Sequence, residues 1–308
     1  MKAQTSSAHA PPRWALFLGV ALLCVIWGST WVVIAGGLEH LPPFTAAAAR
    51  FMLAALVLLG VAPSLARLEG GDRPPMHLVA TVGILNFTVS YGVVYWSEQF
   101  LPSGLVSVLW AVFPLMMGVG GHLLLPGERL QGVQWLGLLA GFIGVAVLFA
   151  TDLSVTRQTL VAGAVLLLSP LACAVGTLQL KRHGAGVSSV LVNRGGMLIG
   201  AGFLGLTAWL TERDAQVNWT PEALGSVAYL ALPGTVMTFG LYFWAMRFAP
   251  AYLLSLIAYV TPGIALLLGS GIRGEPVGAG TLAGLVVILV GVAAVFFGRS
   301  KAKVEANP

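Results

Sequence analysis

Apolar residues run along this chain in blocks of about twenty, parted by short polar stretches. As a helix, a block of that length matches the hydrocarbon thickness of a bilayer. Windows of that size predict ten spans, near residues 14–36, 43–66, 76–98, 103–125, 130–150, 160–180, 188–210, 222–245, 251–272 and 278–298. The connections are short, the longest falling near 67–75 and 211–221, so no soluble domain fits between spans. The first block is too long for a cleavable signal and meets no small-residue cleavage site before Glu39-His40. The expected fold class is an all-α integral membrane protein.

Composition agrees. Of 308 residues, 57% are hydrophobic and 9% charged, against roughly 25% charged in soluble proteins. Basic residues set the orientation. With the N-terminus inside, Lys2, Arg13, Arg67, Arg73, Arg129, Lys181, Arg182, Arg247, Arg299, Lys301 and Lys303 face the cytoplasm. Only Arg157, Arg213 and Arg273 lie outside. Both termini are therefore expected in the cytoplasm, in a multi-pass protein of the cell's inner membrane. The net charge of +5 is spread over several short loops, so no nucleic-acid partner is expected. The expected partners are the lipid bilayer and a small-molecule substrate. Cys24 and Cys173 lie inside apolar blocks and form neither a disulfide framework nor a metal pair, so no metal or cofactor is expected.

The chain also resembles itself. At an offset of 148, Gly92, Trp96, Phe100, Pro102, Leu105, Ser107 and Pro114 meet Gly240, Trp244, Phe248, Pro250, Leu253, Ser255 and Pro262. After a one-residue deletion, Glu128, Gly137, Gly144 and Phe149 meet Glu275, Gly284, Gly291 and Phe296. A duplicated five-helix unit follows, with the first copy over 14–150, the second over 151–298, and tails at 1–13 and 299–308. An odd number of spans per unit turns the second copy upside down, the inverted-repeat design of secondary transporters.

Trp27-Gly28-Ser29, Arg50-Phe51, the run from Asn86 to Pro114 and Gly127-Glu128-Arg129-Leu130 carry a resemblance to the EamA-type exporters of the drug/metabolite transporter superfamily. It covers nearly the whole chain and weakens over spans six and seven, where no counterpart of Trp27-Gly28-Ser29 is legible in Ser169 to Thr177. The resemblance implies ten helices in two inverted halves around a cavity lined by spans one, three, four, six, eight and nine. It also implies export of amino acids and other small metabolites, and it places Trp27, Ser29 and Thr30 toward the cavity.

Other candidates come from helical spacing. Ser107, Trp110 and Pro114 share one face of span four, and Ser255, Tyr259 and Pro262 one face of span nine. Each proline removes a main-chain hydrogen bond at mid-span, so both are candidate hinges. Asn86, Ser90 and Tyr95 in span three and Thr238 and Tyr242 in span eight complete the candidate cavity. The Asn86 amide needs a partner at mid-membrane, either substrate or water in a cavity or a neighbouring backbone. Arg50 and Arg194 lie about seven residues inside their spans, roughly 10 Å deep. They either snorkel or bond helix-end carbonyls, or they attract a substrate carboxylate. GxxxG spacings at Gly137/Gly141 and Gly280/Gly284 fit close packing within one chain or a homodimer contact.

All eleven acids fall in loops or at span ends, with Glu98 nearest the membrane interior. That argues against cation extrusion through a mid-membrane carboxylate. Glu128 and Glu275 are expected to favour the N-termini of the helices that follow them. Absence of HExxH, GxSxG and GxxxxGK[ST] argues against metalloprotease, serine hydrolase and ATP-driven chemistry. The expected function is secondary export of small neutral or zwitterionic metabolites, with broad drug export or a passive channel as alternatives.

Overall fold

In the computed structural model, the backbone is described for residues 12–125, 130, 132–151, 156–248 and 251–305. Side chains at 13, 149, 243–244, 246–248, 251–256, 258–259 and 295–305 lie outside that description. The chain is all α among the described residues, with a single bridge pair, Asp72 with Val187. The helices are α1 (Arg13–Gly37), α2 (Pro43–Glu69), α3 (Met76–Thr81), α4 (Ser90–Ser97), α5 (Ser103–Trp110), α6 (Phe113–Leu124), α7 (Gly132–Thr151) and α8 (Arg157–Leu166). They continue as α9 (Leu168–His183), α10 (Ser189–Thr211), α11 (Pro221–Ala231), α12 (Thr238–Phe248), α13 (Ala251–Arg273) and α14 (Ala279–Glu305).

Among the described residues, seven runs are long and apolar enough to cross a membrane: Trp14–Gly37, Pro43–Glu69, Met76–Ser97, Ser103–Leu124, Arg157–His183, Ser189–Thr211 and Pro221–Tyr242. Shorter apolar helices at Gly132–Leu148, Val260–Arg273 and Ala279–Ala294 occupy the other three expected positions. The protein is therefore a multi-pass membrane protein. Large apolar side chains such as Phe17, Leu136, Leu206 and Leu267 stay exposed, as lipid-facing positions do.

Several runs are interrupted. Two segments are wound as π-helix, Val82–Val89 between α3 and α4 and Leu232–Met237 between α11 and α12. The run from Ser103 breaks at Ala111-Val112, and Pro114 falls in the first turn of α6, where a missing N–H costs nothing. Pro262 instead stays inside the continuous α13. The two prolines, expected to act alike, thus end in different local structures.

The helices α2 and α10 lie side by side and cap each other. The Glu69 carboxylate, at the end of α2, accepts from the Ser188 hydroxyl at 2.6 Å, from the Ser189 hydroxyl, and from the Ser189 and Val190 amides at the start of α10. Glu212, just past α10, accepts from the Phe44 and Thr45 amides, each at 2.8 Å, and from the Thr45 hydroxyl, in the first turn of α2. Both pairs place a carboxylate on free N–H groups at the positive end of a helix. The two helices must therefore run antiparallel. Replacing Glu69 or Glu212 by Gln is expected to cost about 1 kcal/mol each. The losses should add in the double variant, because the sites sit at opposite ends of the pair; thermal unfolding in detergent measures this.

Glu275 corrects its expectation. Its carboxylate accepts from the Ser103 hydroxyl at 2.8 and 2.9 Å and the Gly104 amide at 3.1 Å, the N-terminus of α5 rather than of α14. Proximity in space, not in sequence, decides which helix dipole a loop carboxylate meets. Glu128 lies outside the described residues. Glu39 pairs with Arg273 at 2.9 Å, and the Asn218 amide donates to the His40 carbonyl, so these loops gather at one end of the bundle. Asp72, Gly186 and Ser188 pair at the other end, where Glu69 also lies.

The glycine stripes pack within the chain. A Cβ on Gly291 of α14 would stand 2.6 Å from the Gly141 amide nitrogen of α7, and one on Gly144 of α7 would stand 2.9 Å from the Gly284 carbonyl.

Candidate functional site

The interruptions bring uncharged polar and aromatic groups together in the interior. Pro170 follows the break between α8 and α9, which sets Ser169 at a turn of the run. The Ser169 hydroxyl accepts from the Trp110 indole N–H at 2.9 Å and shares a 2.9 Å hydrogen bond with the Ser90 hydroxyl. Ser90 and Ser169 are both fully enclosed. Trp110 is the last residue of α5, so the break there frees its ring to stack on Phe113, with centroids 4.9 Å apart, and to meet Trp31 of α1 at 6.1 Å. Helices α1, α4, α5 and α9 thus meet in one hydroxyl-and-indole cluster with no charged member.

A second group lies beside it. The Ser29 hydroxyl bonds the Ile26 carbonyl at 2.8 Å and the Tyr229 hydroxyl of α11 at 2.6 Å, while Thr30 donates to the Trp27 carbonyl. Trp27 packs edge-on to Phe239 and at 5.5 Å from Tyr242. Tyr229 also lines a cavity of about 420 Å³ that opens between α1 and α11, bounded by Val33, Gly37, Glu39, Glu222 and Ser226. Tyr229 is thus shared between this cavity and the hydrogen bond to Ser29.

Asn86 sits in the first π-segment. Its amide nitrogen donates to the Thr177 hydroxyl at 3.1 Å and the Cys173 carbonyl at 3.4 Å, both on α9, while its Oδ1 is buried without a partner among the described residues. The interhelical alternative for this amide is the one observed for its nitrogen. A methyl group on Gly176 would collide with that Oδ1, so the glycine is what admits the side chain. Ser107 is buried with no hydrogen-bond partner among the described residues. Thr238 bonds its own helix through the Thr235 carbonyl.

Arg50 is 1% exposed, so it does not snorkel. Its Nε donates to the Thr235 hydroxyl at 3.1 Å and its Nη2 to the Gly234 carbonyl at 3.4 Å, both in the second π-segment. The guanidinium lies 4.7 Å from the Tyr91 ring centroid and 5.3 Å from that of Phe51, a desolvated cation–π arrangement. Tyr95, also buried, stands within electrostatic range of Arg50, and neither its hydroxyl nor Arg50 Nη1 has a hydrogen-bond partner among the described residues. Arg194 is partly exposed and makes no ion pair among the described residues. The Ser255 and Tyr259 side chains lie outside the described residues.

Sequence reasoning missed Ser169, Thr177, Cys173 and Tyr229 as members of these groups. For Ser169 the signal present was the Ser-Pro step inside an apolar block, since a mid-helix proline exposes backbone that nearby hydroxyls can serve.

Comparison with known proteins places this geometry. The chain is 30% identical over 296 residues to the uncharacterized inner membrane transporter YedA of Escherichia coli K12, covering 92% of this chain and 91% of that one. It is 26% identical to a probable amino-acid metabolite efflux pump of Salmonella typhimurium, over 90% and 93% of the two chains. A solved crystal structure superposes with a TM-score of 0.67 at 20% identity, covering 94% of this chain and 99% of that one, a likeness of fold. The profile of the EamA-like transporter family matches residues 13–150 and again 161–297. With both halves of its bundle matched in turn and its interior lined by these broken helices, the chain belongs to the EamA-like transporter family.

Proposed function

We propose that this protein is a secondary exporter of small neutral or zwitterionic metabolites, amino acids foremost, working by alternating access of two inverted five-helix halves. The observation that carries this reading is the uncharged cluster of Trp31, Ser90, Trp110 and Ser169, drawn from four helices at the core of the bundle. Hydroxyl and indole groups satisfy a polar ligand without demanding a net charge, and aromatic faces suit apolar side chains. Trp27, Ser29, Asn86 and Tyr242 extend the pocket in this reading.

Several features support the inverted arrangement. The two π-segments stand about 148 residues apart, the offset of the sequence repeat. Arg50 and Arg194 are 144 apart, and so are Thr45 and Ser189, each of which donates both its amide and its hydroxyl to the carboxylate that caps its helix. The Salmonella relative, named a probable amino-acid metabolite efflux pump, supports the substrate class. The YedA likeness and the basic-residue bias support the inner membrane with both termini in the cytoplasm.

Purified protein in sealed vesicles tests the reading. Labelled neutral amino acids should equilibrate several-fold faster than in protein-free vesicles, and excess unlabelled substrate should saturate the flux. Flux equal to that of empty vesicles for every neutral amino acid and small zwitterion tried would remove the substrate claim.

A further inference from the structure

Glu98 is the acidic residue that the proposed transport cycle leaves unused. It is the first residue past the span Met76–Ser97 and caps the end of α4. Only 6% of it is exposed, and neither carboxyl oxygen has a hydrogen-bond partner among the described residues. It is the only Asp or Glu among the described residues that is buried. By contrast, Glu39, Glu69, Glu212 and Glu275 are each held by amides, hydroxyls or an arginine. An unsolvated, unbonded carboxylate is too costly to keep charged in an apolar interior, and the usual resolution is to bind a proton.

The surroundings decide whether a cation could replace that proton. From the end of α13 comes Arg273, which favours a charge on Glu98, and from the loop after it Glu275, which repels one. Arg273 is already shared between Glu39 at 2.9 Å and Glu275 at 3.5 Å. From α2 comes Arg50, bound to the second π-segment and stacked on Tyr91. Tyr95, one turn earlier on α4, is within electrostatic range of both Arg50 and Glu98, and its hydroxyl has no hydrogen-bond partner among the described residues. On the other packed helices, Arg157 of α8 is exposed, and the basic residues of α9, Lys181, Arg182 and His183, crowd its far end. Burial first, and Glu275 second, hold the Glu98 carboxyl well above the usual carboxylate range, against the opposing pull of Arg273 and Arg50.

The groups around Glu98 also tie helices together at this end of the bundle. Glu275 ties the loop after α13 to the start of α5, and Arg273 ties α13 to the end of α1. Parting these ties would admit water to Glu98.

We infer that Glu98 is a proton-binding site linked to closure of this end of the transporter: closing takes up one proton onto the carboxyl, and opening releases it to water on that side. The inference rests on the alternating-access reading. Its linkage sign follows from burial. The shut state binds the proton more tightly than the open state, so low pH at this face favours closure and high pH favours opening.

Two measurements on the full chain in lipid test it. First, infrared difference spectra between wild type and Glu98→Gln at neutral pH should show the carbonyl stretch of a protonated carboxyl in wild type that the variant lacks; spectra without that difference overturn the site. Second, Leu101, buried at this end, becomes a reporter as Leu101→Cys in a Cys24→Ala, Cys173→Ala background. Its labelling rate by a membrane-impermeant thiol reagent, corrected for the reagent's own pH dependence at an exposed Gln99→Cys control, should rise by up to about tenfold per pH unit through the one-proton transition. Adding Glu98→Gln should hold the rate at its low value, while Glu98→Asp should keep a pH dependence with a moved midpoint. A corrected rate that does not change with pH, or that changes equally in Glu98→Gln, overturns the linkage. Failure of alternation itself is read separately, by access to Cys173 from the two faces of the membrane, which does not involve Glu98.

Discussion

Replacing Gly291 by alanine is expected to lower stability by about 3 kcal/mol, at the upper end of the usual cost of overpacking. At this position a Cβ meets main chain, the Gly141 nitrogen at 2.6 Å and its Cα at 2.8 Å, so no flexible side chain is available to yield. Relief would require α14 to withdraw from α7 along their shared glycine stripe. In a bilayer, close backbone approach is itself a main source of attraction between helices, and withdrawal forfeits it over the whole contact. Gly60→Ala supplies the control. That glycine faces outward from α2, and a methyl group there would meet nothing within 4 Å, so the substitution should be neutral or stabilising by up to about 1 kcal/mol through helix propensity. Thermal unfolding of both variants in one detergent reads the difference, and equal behaviour would mean that the stripe is not the contact that holds α7 to α14.

Trp110→Phe should reduce transport about tenfold with little change in unfolding temperature, and Ser169→Ala should do the same. The first keeps a ring against Trp31 and Phe113 and removes only the N–H that Ser169 accepts. The second leaves both that N–H and the Ser90 hydroxyl without their shared partner. A buried polar group so orphaned costs about 1–3 kcal/mol, which is roughly 5- to 150-fold if it falls on the transport cycle. The double variant should lose less than the sum of the two, because both remove the same bond. Trp110→Ala removes the ring as well and should abolish measurable flux. Initial uptake rates read beside thermal unfolding separate a lost site from a lost fold.

Much of this arrangement is legible in the sequence because lipid simplifies the code. Twenty apolar residues in a row leave few alternatives to a span, and Trp and Pro recurring 148 residues apart, with Glu recurring at 147, reveal the duplicated unit that the family profile matches twice. What escaped depends on small departures from helical geometry. The π-segments at Val82–Val89 and Leu232–Met237 each change the local winding without altering the apolar block around them, so no pattern marks them. Yet they position Asn86 toward α9 and offer the Gly234 carbonyl to Arg50. Gly176-Thr177 stands 148 after Gly28-Ser29, but one shared glycine and one shared hydroxyl are too little to notice in a chain with 39 glycines. Only the contact between Gly176 and Asn86 gives that pair a role. Glu98 shows the same limit from the other side. Its place at a span end does not tell whether it is covered, and neighbours distant in sequence cover it. The break that places Pro114 at the start of α6 rather than within a kinked helix likewise depends on what the freed turn at Ala111 packs against, and Ala111 is buried.

The central claim is that one interior site is reached in turn from each side of the membrane, and Cys173 reports on it without alteration of the site. This residue sits beside Asn86, and in the Cys24→Ala variant it is the sole thiol of the chain. An impermeant mercurial applied to right-side-out vesicles, and separately to inside-out vesicles, measures its access from each face. Labelling from both faces, slowed in each case by transported substrate, is the predicted result; labelling confined to one face under every substrate condition would contradict it.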